Sequence, residues 1–291
     1  MNKSIDGWAI AAQIRMSRQV NRKFSFLLLE GLDDIRALES FIDNRCCEIV
    51  NSFGRPNLLE AVSLLDEDGF GGICGIIDPD FSAFIKVKYK SDNILCADFG
   101  DLDMMLFMSS ALDKYISNVS DRVLIQAFEE KVGCSIRERI LDTASQIGAS
   151  RVVSLQRNVR VCFRDMKMEE FVDGSTLQLL EEEFYHGLIR RSPNSSCGAQ
   201  QLKTWSGALI REASRRGLSK AFLCQGHDVA AMLGLALRSV LGRRTSSQTW
   251  GSEVETGLRL AFSRSEFEIT NLYGTMKEWE NRNTPFILLR K

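Results

Sequence analysis

Three acidic residues pose the chemical question. Glu30 closes the apolar run 24–29, while Asp78 and Asp80, separated only by Pro79, follow a second apolar run over 71–77. One carboxylate at a strand end is ordinary. An Asp-x-Asp pair stiffened by proline suits a hard divalent cation, because magnesium is held by a few oxygens and keeps several waters. Mg2+, or Mn2+ in its place, is therefore the expected cofactor. A further acidic group, Asp98, Asp101 and Asp103, offers ligands for a second ion. Asp101 reads equally well as a helix N-cap with favourable first-turn charge.

These carboxylates need elements that bring them together. "FSFLLLE" (24–30) has no helical period and reads as a strand buried on both faces. "CCEIV" (46–50), "GGICGIID" (71–78) and "NILCAD" (93–98) read as three more strands. Between them, Asp33 or Asp34 can cap a helix carrying Ile35, Leu38, Phe41 and Ile42. Asn57 with Glu60 resembles a capping box for a helix with Leu58, Leu59, Val62 and Leu65 inward, ending near Gly69. Lys86, Lys88 and Lys90 alternate as on a half-exposed strand.

Strands alternating with helices imply a mainly parallel sheet covered on both faces. Ligands then bind outside the carboxyl ends of the strands, where Glu30, Asp78 and Asp98 fall. Beyond about residue 115 the pattern is helical: 122–133, 135–148, 175–190, 199–215, 228–242 and 252–263, with glycine stops at Gly133 and Gly148. The segment 152–165 reads as an extended linker, 221–224 as a strand and 190–201 as a loop. The expected architecture is an α/β domain over 20–115, with a parallel sheet flanked by helices, followed by a mostly α-helical domain over 116–291.

Composition is consistent with this reading. The 291 residues carry a net charge of −1, but residues 1–150 hold 16 Lys/Arg against 23 Asp/Glu and residues 151–291 hold 21 against 15. An acidic part for cations beside a basic part for phosphates suits a nucleic-acid enzyme. The eight cysteines include no zinc-spaced pair. With no transmembrane run or clear signal peptide, a cytoplasmic protein with no membrane contact is expected.

A glutamate closing the first strand and an Asp-x-Asp closing a later one, as in "LLLEGLDD" and "IIDPDFS", resemble the TOPRIM fold. "NILCADFGDLDMMLF" (93–107), "CQGHDVAAML" (224–233) and "NLYGTMKEWE" (271–280) extend the resemblance to the family called domain of unknown function 4435, over roughly residues 20–285. That family includes the TOPRIM effector of the PARIS anti-phage system. It more often has a threonine before the first Asp of the acidic segment and a glutamate near its end. Here Ala97 and Asp103 stand in those places, and Asp103 has the shorter reach.

Phosphodiester cleavage is the chemistry implied. Asp78 and Asp80 would hold metal, and Glu30 would be a ligand that also orients or deprotonates the attacking water. The resemblance further implies an ABC-type ATPase partner, homodimerisation on activation and RNA, in particular transfer RNA, as target. DNA is the alternative substrate, and a non-catalytic binding scaffold the alternative of another class. Lys86, Lys88, Arg215 and Arg216 are candidate phosphate contacts. His227, with Asp228 as the expected N-cap of a helix, is a candidate for an architectural or proton-transfer role. No Gly-x-x-x-x-Gly-Lys-Ser/Thr loop occurs, so nucleotide-driven control would come from another protein.

Overall fold

The computed structural model describes residues 5–86, 89–242 and 251–290. After helix α1 (Gly7–Val20), the apolar run 24–29 forms β1 (Ser25–Leu29). There follow α2 (Leu32–Leu38), β2 (Cys47–Asn51), α3 (Arg55–Glu67), β3 (Ile73–Ile77), β4 (Ile94–Cys96) and α4 (Leu102–Met108). Next come α5 (Ala111–Val119), α6 (Arg122–Val132), α7 (Ile136–Arg157), α8 (Glu181–Arg190), α9 (Ala199–Arg215), α10 (Gly226–Ser239) and α11 (Gly251–Ala261). The chain closes with α12 (Arg264–Phe267) and α13 (Asn271–Arg282).

Contacts group the chain into two units. One gathers Met1–Pro79, Val87–Met105 and Ser263–Lys291; the other gathers Asp80–Lys86 and Leu106–Phe262. This grouping differs from a single cut near residue 115, since the C-terminal segment belongs with the sheet. No helix among the described residues is long and apolar enough to cross a membrane.

The sheet unit has four parallel strands in the order β2-β1-β3-β4. Every residue of the central strands β1 and β3 is buried, which is what their unbroken apolar runs demand. Ile10, Ala11 and Ile14 of α1 and Leu58, Ala61, Val62 and Leu65 of α3 pack with Phe26, Leu28, Ile73 and Ile77 in one core. Gly75 permits this approach: a Cβ there would meet Leu58 Cδ2 at 2.8 Å. The C-terminal segment is tied to the same unit. Ser25 Oγ donates to the Ile287 carbonyl at 2.7 Å, and the fully buried Trp279 donates from Nε1 to Asn93 Oδ1 at 2.8 Å. Glu280 Oε1 accepts from Leu288 N–H and Leu289 N–H at 2.8 and 2.7 Å.

In the helical unit, α7 is the long central helix, with 22 residues and a Ser135–Glu138 capping box. It runs straight through Gly148, where a helix end was expected. A Cβ at Gly148 would lie 1.5 Å from the Leu223 carbonyl oxygen, so this glycine allows close packing instead of stopping the helix. The helix therefore takes in 152–157, part of the expected linker. Residues 220–223 form a 3-10 turn, not a strand. Ser150 Oγ and Ser206 Oγ share a buried hydrogen bond of 3.0 Å between α7 and α9.

Other local expectations change for identifiable reasons. Helix α3 starts at Arg55 with Gly54 as N-cap and proline in its first turn, ahead of Asn57. Asn57 Nδ2 donates instead to the carbonyls of Ile5 and Ser52, and Glu60 Oε2 accepts from Gly7 N–H. Gly31, not Asp33 or Asp34, is the N-cap of α2, which ends at Leu38 and passes into a 3-10 turn over Glu39–Phe41. Lys86 and Lys90 lie outside any strand, and Lys88 lies outside the described residues.

The two kinds of glycine give opposite expectations in urea unfolding. Gly148→Ala should destabilise by about 3 kcal/mol or more, since backbone cannot yield to the new methyl group. Gly274→Ala, on the exposed side of α13 with nothing within 4 Å, should stabilise by about 0.5–1 kcal/mol. Equal midpoints for Gly148→Ala and the parent would contradict the packing described for α7.

Candidate active site

Because the strands are parallel, their carboxyl ends share one rim. Glu30 directly follows β1 and Asp78 directly follows β3, the neighbouring strand, with Leu29 paired to Ile76. Glu30 Oε1 accepts the backbone N–H of Asp78 at 3.0 Å and Arg55 Nε at 2.9 Å. One glutamate oxygen thus links two strand exits and the start of α3. Asp78 Oδ1 in turn accepts the Leu102 N–H at 3.2 Å, at the start of α4.

Further carboxylates surround this pair. Asp34 Oδ2 accepts the Gly31 N–H at 2.8 Å, and Asp101 Oδ1 accepts the Met104 N–H at 2.7 Å, giving Asp101 the expected cap-like role on α4. Burial pushes the Asp78 carboxyl up to about 9; the charges of Asp101, Asp34 and Glu30 add to the rise, and the Leu102 N–H opposes it. Asp34 is raised to about 6, first by burial, with the Gly31 N–H opposing and Glu30, Asp103 and Asp33 reinforcing. In the metal-free protein Asp78 accordingly keeps its proton at neutral pH. The carboxylates crowd one another, and Arg55 is ion-paired with Glu30.

The donors are hard oxygens, as a magnesium or manganese ion requires. Among the described residues no three His, Cys, Asp or Glu side chains are gathered as a ligand set. Magnesium commonly takes one or two carboxylates, with waters and substrate phosphate filling its other positions. A raised carboxyl amid other acids is also a group that a cation relieves, by displacing its proton. The donor chemistry is of the type such an ion takes.

The remaining expected site residues have different settings. Asp98 Oδ1 accepts the Leu272 N–H at 2.8 Å, and its Oδ2 accepts the Asn271 N–H at 3.0 Å and Asn271 Nδ2 at 3.2 Å. Both oxygens thereby anchor the start of α13, and a metal would compete with those bonds. Asp103 is half-buried in the first turn of α4. Asp80 is half-buried in a left-handed conformation, φ +45°, and groups with the helical unit.

Within that helical unit, Arg215 and Arg216 are exposed. Arg215 Nε donates to the Arg211 carbonyl at 3.4 Å. Arg216 Nη2 donates to the Ala83 carbonyl at 3.0 Å and lies over the Phe84 ring, 5.7 Å from its centroid. Lys86 is exposed.

His227 is exposed, and its Nδ1 lies 3.5 Å from Glu255 Oε1, which draws its pKa up. Asp228 is not the N-cap of α10, a place taken by Gln225. It is buried in the first turn, and both of its oxygens accept from Arg151 Nη2, at 2.8 and 2.9 Å. That pairing joins α7 to α10 and gives Asp228 an architectural role. Sequence reasoning missed Arg55 and Asp34. Arg55, in "FGRPN" just beyond a predicted strand, carried a usable signal as a cation at the same rim.

The raised carboxyls carry a sign for stability. Asp78 and Asp34 both have folded values above the ordinary 3.8, so the folded state binds more protons than the unfolded chain. Their contribution is full below about pH 4 and is lost as pH rises, through about 6 for Asp34 and about 9 for Asp78. In chelator, Asp78→Asn should melt increasingly above the parent as pH is raised from 4 to 9. A melting difference independent of pH would contradict this electrostatic account. Compared with known proteins, the chain matches no protein-family model and no curated protein.

Proposed function

We propose that this chain is a TOPRIM-type, magnesium-dependent nuclease that cuts RNA, transfer RNA in particular, as the toxic effector of an anti-phage system. The observation that carries the reading is the meeting of Glu30 and Asp78 at adjacent strand exits, joined by a 3.0 Å hydrogen bond within a set of crowded carboxylates. A surface built only to bind a polyanion would gain from losing those charges, since each repels phosphate. They make physical sense when a cation stands between them and the substrate.

In this reading Asp78, in its deprotonated form, and Asp80 would hold Mg2+ or Mn2+. The ion would polarise a phosphoryl oxygen and acidify water. Glu30 orients the attacking water and takes its proton. Arg55 keeps the Glu30 carboxylate aimed, through the 2.9 Å hydrogen bond from its Nε to Oε1. Asp101 and Asp103 stand by for a second ion. Arg215, Arg216 and Lys86 are proposed phosphate contacts, an ABC-type ATPase is the proposed restraining partner, and the active species is proposed to be a homodimer.

The test incubates the purified chain and its Glu30→Gln variant with total transfer RNA and with plasmid DNA, in Mg2+, in Mn2+ and in chelator. RNA fragments should appear only with metal and fall by roughly a hundredfold or more in the variant, the range for loss of a positioned base. Cutting of DNA alone would move the target to the genome. Cleavage that survives chelator or the variant would contradict the assigned chemistry. So would silence on both substrates with the co-expressed ATPase and its trigger present.

A further inference from the structure

The exit of β2 carries a largely exposed aromatic side chain. Phe53 is 60 % exposed, yet its backbone is left-handed, with φ +54°. A bulky residue adopts that region only at a cost, while the next residue, Gly54, is one for which it is free. Neither burial nor backbone preference accounts for a phenylalanine here.

The loop that presents the ring is firmly held. The Phe53 N–H donates to Asn51 Oδ1 at 2.9 Å. On one side, the buried Ser52 donates its N–H to the Leu29 carbonyl at 2.9 Å, and its own carbonyl accepts Asn57 Nδ2 at 3.0 Å. On the other side, the Gly54 N–H donates to the Glu30 carbonyl at 2.7 Å, and Arg55 pairs with the Glu30 side chain. Phe53 is thus one residue from a bond to the backbone of Glu30 and two from the cation on its carboxylate. Leu32, at the exit of the neighbouring strand β1, adds a second apolar side chain, 58 % exposed.

A rigidly presented, solvent-facing ring beside a phosphodiester site matches one ligand chemistry, the face of an unpaired nucleobase. Every base has a π-face, and stacking on an aromatic platform is tolerant of sequence. Bases in a duplex are already stacked on one another, so the platform selects single-stranded or looped segments whose bases can be splayed out. We propose that Phe53 is a stacking platform for an unpaired nucleotide next to the scissile phosphate. It positions the strand and takes no part in bond breaking. The proposal rests on the nuclease reading for the identity of the neighbouring site, but its test does not depend on cutting.

The experiment titrates a single-stranded RNA oligomer containing 2-aminopurine into the Glu30→Gln protein with Mg2+, alone and combined with Phe53→Ala, Phe53→Trp or Phe53→Gly. Binding should quench 2-aminopurine in the Glu30→Gln parent and in the Phe53→Trp protein. Phe53→Ala should weaken binding about tenfold or more and abolish the quenching. Phe53→Gly should melt above the parent, through relief of the left-handed backbone, yet bind as weakly as the alanine variant. A fully paired RNA of the same sequence should be indifferent to residue 53.

Unchanged affinity and quenching in Phe53→Ala would overturn the proposal, as would failure of the parent to bind the oligomer at all. If binding depends on Phe53 but the native chain cuts neither RNA nor DNA with the co-expressed ATPase and its trigger present, the platform stands and the nuclease reading falls. If the native chain cuts and Phe53→Ala leaves KM unchanged, the platform alone falls.

Discussion

The Asp78 N–H to Glu30 Oε1 hydrogen bond is the contact on which the rim depends. It requires β1 and β3 to be neighbours, parallel and in the register that sets Leu29 against Ile76, so that Glu30 and Asp78 leave the sheet side by side. The same glutamate oxygen receives Arg55, which fixes the start of α3 to the same point. A carboxylate accepting two donors is held in one orientation before any substrate arrives. Such preorganisation is what a group must have if it is to position water rather than merely attract cations.

That arrangement is kept at some expense. Asp78 lies where burial and three neighbouring acids disfavour its charge, and Asp34 is disturbed in the same direction. The core beneath is conventional by comparison, with α1 and α3 packed on apolar strands and Gly75 letting α3 close on β3. Left-handed residues also gather just beyond the strands: Phe53 after β2, Asp80 after β3 and Phe99 after β4. Strain and crowding are thus found at the strand exits, above a core that follows local preference.

Much of this was legible from local pattern. Apolar runs without alternation located all four strands, and their parallel order followed from alternation with helices. The rim position of Glu30 and Asp78 then followed from the carboxyl-end rule. What could not be read depends on tertiary partners. Gly148 looks like a helix stop until the Leu223 carbonyl is seen pressed against it. Asp98 looks like another strand-end ligand, but its oxygens are taken by the start of α13, which lies 173 residues away in sequence. Asn57 and Glu60 have capping-box spacing, yet proline in the first turn of α3 moves the helix start ahead of them. Each residue type admits two roles; for Gly148 and Asp98 a distant segment decides between them, and for Asn57 and Glu60 the neighbouring proline does.

The central claim is that the raised carboxyl of Asp78 is exchanged for a cation. Calorimetric titration of Mn2+ at neutral pH, in two buffers of different ionisation enthalpy, counts the protons released as the ion binds. The account predicts about one proton released per ion, less as pH approaches 9, and none from Asp78→Asn, whose affinity should also fall. Tight binding without proton release, or release undiminished in Asp78→Asn, would contradict it.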